Sequence, residues 1–162
     1  MKRFSSAARF GLAVVVVLGL AGPSVAGDRV VFKGSFEGER TERTILTPTT
    51  VLDRWDMAGT ATQLGKFEMV VWAEVDFSTL PVTGVGAVTL VAANGDLVYA
   101  DATGYSEFVE PGVVRIIENA VITGGTGRFA GATGSYSSSR LTSLITNETA
   151  GFFEGTISPP GR

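Results

Sequence analysis

Residues 66–77 read KFEMVVWAEVDF, and their apolar side chains fall on every second position. One parity is entirely apolar and comprises Phe67, Met69, Val71, Ala73, Val75 and Phe77. Because successive side chains of a strand point to opposite faces, this alternation predicts a half-buried strand of about twelve residues. The other parity includes Trp72, Glu74 and Asp76. We interpret it as a solvated outer face rather than a paired-carboxylate site, with Trp72 as a candidate mark of a subunit interface.

The same period of two continues along most of the chain. Further alternating segments cover residues 30–43, 84–92, 97–108, 113–123, 133–145 and 151–158. Residues 44–60 contain Pro48 and are interpreted as an irregular loop or lid. No segment predicts an amphipathic helix, and long antiparallel strands without a helical layer hide their edges best by closing on themselves. The sequence therefore predicts an all-β, eight-stranded antiparallel β-barrel with fewer than about one residue in ten in a helix.

The Asn94-Gly95 turn is compatible with two registers. A two-residue turn would pair Ala93 with Asp96 and bring polar residues onto the apolar face. A three-residue loop with Gly95 in a left-handed conformation pairs Ala92 with Asp96 and keeps apolar residues together. We favour the second register, in which Tyr99 faces solvent.

The first 26 residues have the features of an export signal. Lys2, Arg3 and Arg9 precede the uncharged stretch at residues 10–21, and Ser24-Val25-Ala26 places small residues before a cleavage site at Gly27. An uncleaved anchor is the alternative, but twelve helical residues span only ~18 Å of a ~30 Å hydrocarbon core. We therefore expect a single barrel domain at residues 27–162, exported to the periplasm or the medium without a stable membrane anchor.

Composition excludes several chemistries. Cysteine and histidine are both absent, which excludes a disulfide framework, a Cys/His zinc site and a Ser-His-Asp triad. Three of the 13 basic residues precede residue 27 and all 16 carboxylates follow it, so residues 27–162 carry a formal charge of −6. An acidic chain of this kind does not predict nucleic-acid binding.

Residues 125–130, GTGRFA, match the GxGxxA fingerprint of dinucleotide-binding proteins. That fingerprint requires a following helix to receive the pyrophosphate, and residues 131–136, GATGSY, do not predict one. The glycines instead indicate a tight connection with positive φ angles. We therefore expect neither a cofactor nor a metal centre.

The same region carries a resemblance to a known group. Residues 122–134, ITGGTGRFAGATG, resemble the turn-rich signature of small secreted bacterial proteins that are similar to the allene oxide cyclase and dirigent barrels. Residues 61–67 (ATQLGKF), 92–96 (AANGD) and 153–158 (FEGTIS) resemble that group as well, so the likeness covers roughly residues 59–158. It implies an eight-stranded, calycin-like barrel with an apolar cavity, often assembled as a homotrimer. Position 63, commonly histidine in the bacterial group, is Gln63, and no catalytic residues of the plant enzymes are matched.

Glu118 is the most informative carboxylate in the sequence. It shares parity with Ile116, Ala120 and Ile122, so we expect it inside the barrel. A buried carboxylate pairs with a cation or takes a raised pKa, and Arg140, on the strand that carries Tyr136, is the candidate partner. The pair either fixes the register of two strands or forms a polar spot at the base of a ligand cavity, so Glu118, Arg140 and Tyr136 are the candidate site residues.

Two functions remain open from the sequence. The first is a non-catalytic barrel that binds an apolar small molecule or serves as an exported scaffold. The second is an enzyme of the cyclase or dirigent kind that steers a reactive intermediate in an apolar pocket, which requires shape and a few polar groups rather than a strong nucleophile. We favour the first because no pair of titratable groups with separate acid and base roles is evident.

Overall fold

A computed structural model describes residues 28–161, so the predicted export signal lies outside the described residues. Eight strands follow one another along the chain, and a 3-10 helix at Gly127–Phe129 is the one helical element among the described residues. The strands are β1 (Val30–Ile45), β2 (Thr50–Ala61), β3 (Gly65–Asp76), β4 (Val82–Val91), β5 (Leu97–Glu110), β6 (Val113–Gly125), β7 (Gly134–Ser143) and β8 (Glu148–Ile157).

The strands form a closed antiparallel barrel in which each strand pairs with its neighbours in sequence and β8 pairs with β1. Val30 lies opposite Ile157, and Glu39 lies opposite Glu148 at the other end of this seam. Closure gives every strand two paired neighbours, and β1 continues beyond the end of its pairing with β8. The prediction of an all-β, eight-stranded antiparallel barrel is confirmed.

The interpretation of residues 44–60 as a loop or lid is wrong. Only residues 46–49 connect β1 to β2, and β2 then pairs with β3 along its full length, from Thr50 opposite Asp76 to Ala61 opposite Gly65. Val51, Asp53, Trp55 and Met57 are buried on the inner face of β2. The alternation was obscured because a charged residue, Asp53, occupies an inward position that usually holds an apolar one.

The β4–β5 turn has the predicted three-residue register. The Ala92 amide donates to the Asp96 carbonyl at 2.8 Å, and Leu90 lies opposite Val98. Gly95 has a φ of +86°, the left-handed conformation that a bulged loop of this kind requires. Tyr99 faces outward and is 38% exposed, as expected.

Aromatic side chains fill the end of the barrel at which β1 begins, which we call the closed end. The Phe32 and Phe153 rings are 4.9 Å apart between centroids, and the Tyr136 and Phe153 rings are 5.1 Å apart. Phe129, on the 3-10 helix, is 1% exposed and is part of the same core. The glycine-rich segment that resembled a dinucleotide fingerprint therefore contributes a core residue at the closed end, and no α-helix follows it.

Candidate functional site

The opposite end of the barrel contains a cavity of about 160 Å³, and we call this end the open end. It lies among the connections at residues 46–49, 77–81, 111–112 and 144–147. Large apolar side chains are exposed here, and they form what we call the apolar rim: Ile45, Leu46, Phe77, Leu80, Phe108, Val109, Leu144 and Ile145. The open end therefore presents exposed apolar surface beside the cavity.

The cavity wall has two chemically distinct halves. The apolar half is formed mainly by β3, β5 and β6 and includes Val71, Ala73, Val75, Ala102, Val114 and Ile116. The charged half is formed by β1, β2, β6 and β7 and comprises Arg40, Arg43, Asp53, Glu118 and Arg140. A molecule in this cavity would contact hydrocarbon on one side and charge on the other.

Glu118 and Arg140 form the ion pair that the alternation predicts. Arg140 Nη2 is 3.2 Å from Glu118 Oε1, and the Ser138 hydroxyl donates to Glu118 Oε2 at 2.9 Å. The Arg140 side chain is 2% exposed, whereas that of Glu118 is 18% exposed. The Arg140 guanidinium also lies 4.4 Å from the centroid of the Trp55 ring, a distance at which cation–π attraction is strong.

Tyr136 lies deeper, below this pair. Its side chain is buried, and among the described residues its hydroxyl has no hydrogen-bond partner. Burial, with a smaller contribution from the negative charge of Glu118, raises the pKa of the Tyr136 phenol well above its usual value. A small void of about 20 Å³, enough for one water-sized group, is lined by Glu118, Tyr136 and Arg140. The three predicted site residues therefore lie together, and Glu118 and Arg140 also line the larger cavity.

Asp53 forms a second internal charge cluster, which the sequence analysis missed. It is 1% exposed and accepts two hydrogen bonds from Arg43, from Nε to Oδ1 and from Nη2 to Oδ2, each at 2.6 Å. Arg40 Nη1 is 3.7 Å from Asp53 Oδ2. This bidentate geometry is the strong form of the arginine–carboxylate interaction.

A β-bulge brings Arg40 and Arg43 to the same face. Residues three apart on a regular strand point to opposite sides, but the register shifts between Arg40 and Glu42, so Arg40 lies opposite Trp55 and Arg43 lies opposite Asp53. Alternation alone therefore could not find both arginines. The signal for Asp53 itself was available: Val51, Asp53, Trp55 and Met57 occupy alternate positions, which indicates a strand if one inward residue is an aspartate.

Of the three arginines that line the cavity, Arg40 has the longest contact to a carboxylate, 3.7 Å to Asp53, against 2.6 Å for Arg43 and 3.2 Å for Arg140. Its Nη2 donates to the side-chain oxygen of Asn147, a neutral group, and its guanidinium lies 5.7 Å from the Trp55 ring centroid. Burial, together with repulsion from Arg43, lowers the pKa of Arg40 despite the opposing effect of Asp53.

Other predicted positions lie away from the cavity. Trp72 is on the outer face, 36% exposed, with the Arg54 guanidinium 5.5 Å from its ring centroid. Gln63 lies in the β2–β3 turn at the closed end, where its carbonyl accepts a hydrogen bond from Arg128 Nη2 at 2.5 Å. Position 63 is therefore outside the cavity.

Within residues 28–161, no group of three or more acidic side chains has an arrangement that could hold a metal ion. None of the helices in this described part is long and apolar enough to cross a membrane. Comparisons of the chain with protein-family models, with curated proteins and with solved structures find no match.

Proposed function

We propose that this protein binds a small, predominantly apolar molecule in its barrel cavity, through the open end and without catalysing a reaction. The observation that carries the proposal is the cavity itself, which joins an apolar wall to an exposed apolar rim. Its volume of about 160 Å³ limits what it can enclose. A cavity of ~150 Å³ holds one benzene molecule, whereas sites for drug-sized ligands occupy ~300–1,000 Å³. The enclosed part of the ligand is therefore one ring or a short alkyl group.

A role as an inert exported scaffold is less well supported. Burying charged side chains in a barrel interior requires their desolvation, and well-packed apolar residues of similar volume are often as stable or more so. Five charged side chains line one cavity here, and two of them, Asp53 and Arg140, are almost fully buried. Binding of a ligand would explain why charged side chains line the cavity, whereas a role as an inert scaffold would not.

The resemblance to the allene oxide cyclase and dirigent barrels supports the wider setting of the proposal. On this basis we assign the barrel to the calycin-like group, with export after cleavage near Gly27 and assembly as a homotrimer. N-terminal sequencing of protein from the periplasm or medium tests the cleavage, and sedimentation equilibrium tests the trimer.

A cyclase-like or dirigent-like enzyme is the second candidate. It is favoured by the Tyr136 hydroxyl and the Nε of Arg140, neither of which has a hydrogen-bond partner among residues 28–161 and which provide two donors beside Glu118 at the bottom of the lumen. Donors of this kind could orient a reactive intermediate. We rank it second because the raised pKa of Tyr136 makes this phenol a poor proton donor at neutral pH.

The test of lumen binding uses tryptophan fluorescence. The chain has two tryptophans, Trp55 against the cavity and Trp72 outside, so Trp72→Phe leaves a single reporter inside the barrel. Titration with toluene should give a saturable change in Trp55 emission.

A matched pair of variants locates that binding. Ala73 lines the cavity, whereas Ala87 is exposed on the neighbouring strand β4. Ala73→Leu should fill the cavity and abolish the fluorescence change, and Ala87→Leu should leave it intact. A linear response, or a saturable one that is indifferent to Ala73→Leu, would contradict binding in the lumen. Native mass spectrometry of protein from its own host then identifies the natural ligand.

A further inference from the structure

The charges that line the cavity do not balance. Arg40, Arg43 and Arg140 face it together with only two carboxylates, Asp53 and Glu118, which gives a formal excess of +1. Residues 27–162 as a whole carry −6, so the rest of that region carries −7. The cavity lining, with Arg43 still 37% exposed at the open end, is therefore positive within an acidic protein, the opposite of what the overall composition would produce.

Both internal carboxylates are already engaged. Asp53 directs both oxygens to Arg43, and Glu118 accepts from Arg140 and from Ser138. Arg40 is left with a 3.7 Å contact to Asp53, the neutral side chain of Asn147 and the face of Trp55. Among the described residues, Arg40 has no carboxylate that it does not share with another arginine. The Arg40 side chain is 14% exposed, so it is partly desolvated without a full counter-charge, and a bound anion would offset this cost.

We propose that the ligand carries one carboxylate group, which Arg40 binds with help from Arg43, while its ring or short alkyl body lies against the apolar half of the cavity. This inference rests on the lumen binding proposed above. The excess of one positive charge matches a monoanion, whereas a phosphate monoester carries about −1.5 to −2 at neutral pH. The ligand class is therefore a small monocarboxylic acid, such as an aromatic acid with a single ring.

The test compares ligands of nearly equal size and different charge. Calorimetric titrations at pH 7 would use benzoate, benzyl alcohol and benzylamine against the unmodified protein. A charge-assisted hydrogen bond that replaces a neutral one should favour benzoate over benzyl alcohol by on the order of tenfold. Benzylamine, a cation, should bind most weakly.

Arg40→Met provides the matching change in the protein. It reduces the internal charge from +1 to 0 and leaves Asp53 with both hydrogen bonds from Arg43. Benzoate affinity should fall to that of benzyl alcohol, whose own affinity should not change. Arg54→Met is the control, because Arg54 also pairs with an aspartate and a tryptophan but lies on the outer face.

The outcomes separate the two proposals. Equal affinities for benzoate and benzyl alcohol would overturn the carboxylate inference and leave lumen binding intact. A benzoate preference that survives Arg40→Met would also overturn it. If neither of these ligands nor toluene binds, the proposed function fails, and this inference fails with it. The ligand comparison needs no variant, so it decides the matter even if Arg40→Met does not fold.

Discussion

The Arg140 side chain is 2% exposed and forms an ion pair with Glu118. The stability of the folded protein should therefore depend on the Glu118 carboxylate. Glu118→Gln would leave the guanidinium with the face of Trp55 and a neutral amide. Breaking a buried pair costs about 3–5 kcal/mol, and we expect roughly 3 kcal/mol because the Glu118 side chain retains 18% exposure. Urea denaturation of the two proteins measures the loss in the free energy of unfolding.

The double variant Glu118→Gln/Arg140→Met shows whether the two residues act as one unit. Because both changes remove the same interaction, the double variant should recover much of the loss. Asp56→Asn, which breaks the exposed pair with Arg54, should have a much smaller effect. A Glu118→Gln protein as stable as the unmodified one would mean that the pair adds nothing to the fold.

Tyr136→Phe tests whether the buried Tyr136 hydroxyl contributes to the stability of the fold. Since the hydroxyl is buried without a partner among the described residues, its removal should leave the free energy of unfolding unchanged or raise it by about 1 kcal/mol. Thermal melting followed by circular dichroism measures the change. A clear fall in the melting temperature would show that the hydroxyl is hydrogen-bonded in solution.

At the scale of the element, β2 gives a direct test because the chain has no cysteine of its own. Met57 is buried and its neighbour Ala58 is exposed, as expected for a strand with one face inward. A thiol reagent should therefore label Ala58→Cys rapidly and Met57→Cys slowly. Comparable rates at both positions would support the loop that the sequence suggested.

Regular alternation and turn chemistry were sufficient to predict most of the strands, including β3 and the loop at Gly95. β2 escaped because Asp53 interrupts its apolar face, and its burial depends on arginines from another strand. Glu118 and Arg140 were predictable because each keeps the parity of its own strand. Arg40 and Arg43 could not be predicted, because the β-bulge that turns both side chains inward breaks the alternation and has no signature in the local sequence.

At the scale of the whole molecule, three surface carboxylates contribute to the response to acid. Hydrogen bonds from the Arg54 side chain lower the pKa of Asp56, those from the Arg128 backbone amide lower that of Asp96, and those from the Ser78 backbone amide lower that of Asp76. A lowered folded-state pKa gives stability that is complete above the usual value of about 3.9 and is lost as the pH falls through the lower folded value.

The urea midpoint should therefore vary little from pH 7 to about pH 5 and fall below about pH 4. Asp96→Asn should decline less steeply, because one of the three groups no longer titrates. A midpoint that drops mainly between pH 7 and pH 5 would be inconsistent with these shifts.

The seam between β1 and β8 joins the beginning of the barrel to its end, with Val30 opposite Ile157. A ribosome produces residues in order, so β1 has no second neighbour until the last strand has been made. Contacts between residues so distant in sequence form slowly. The barrel therefore cannot close until β8 has been synthesised. If the chain is exported as proposed, it can enter a translocation channel before that closure.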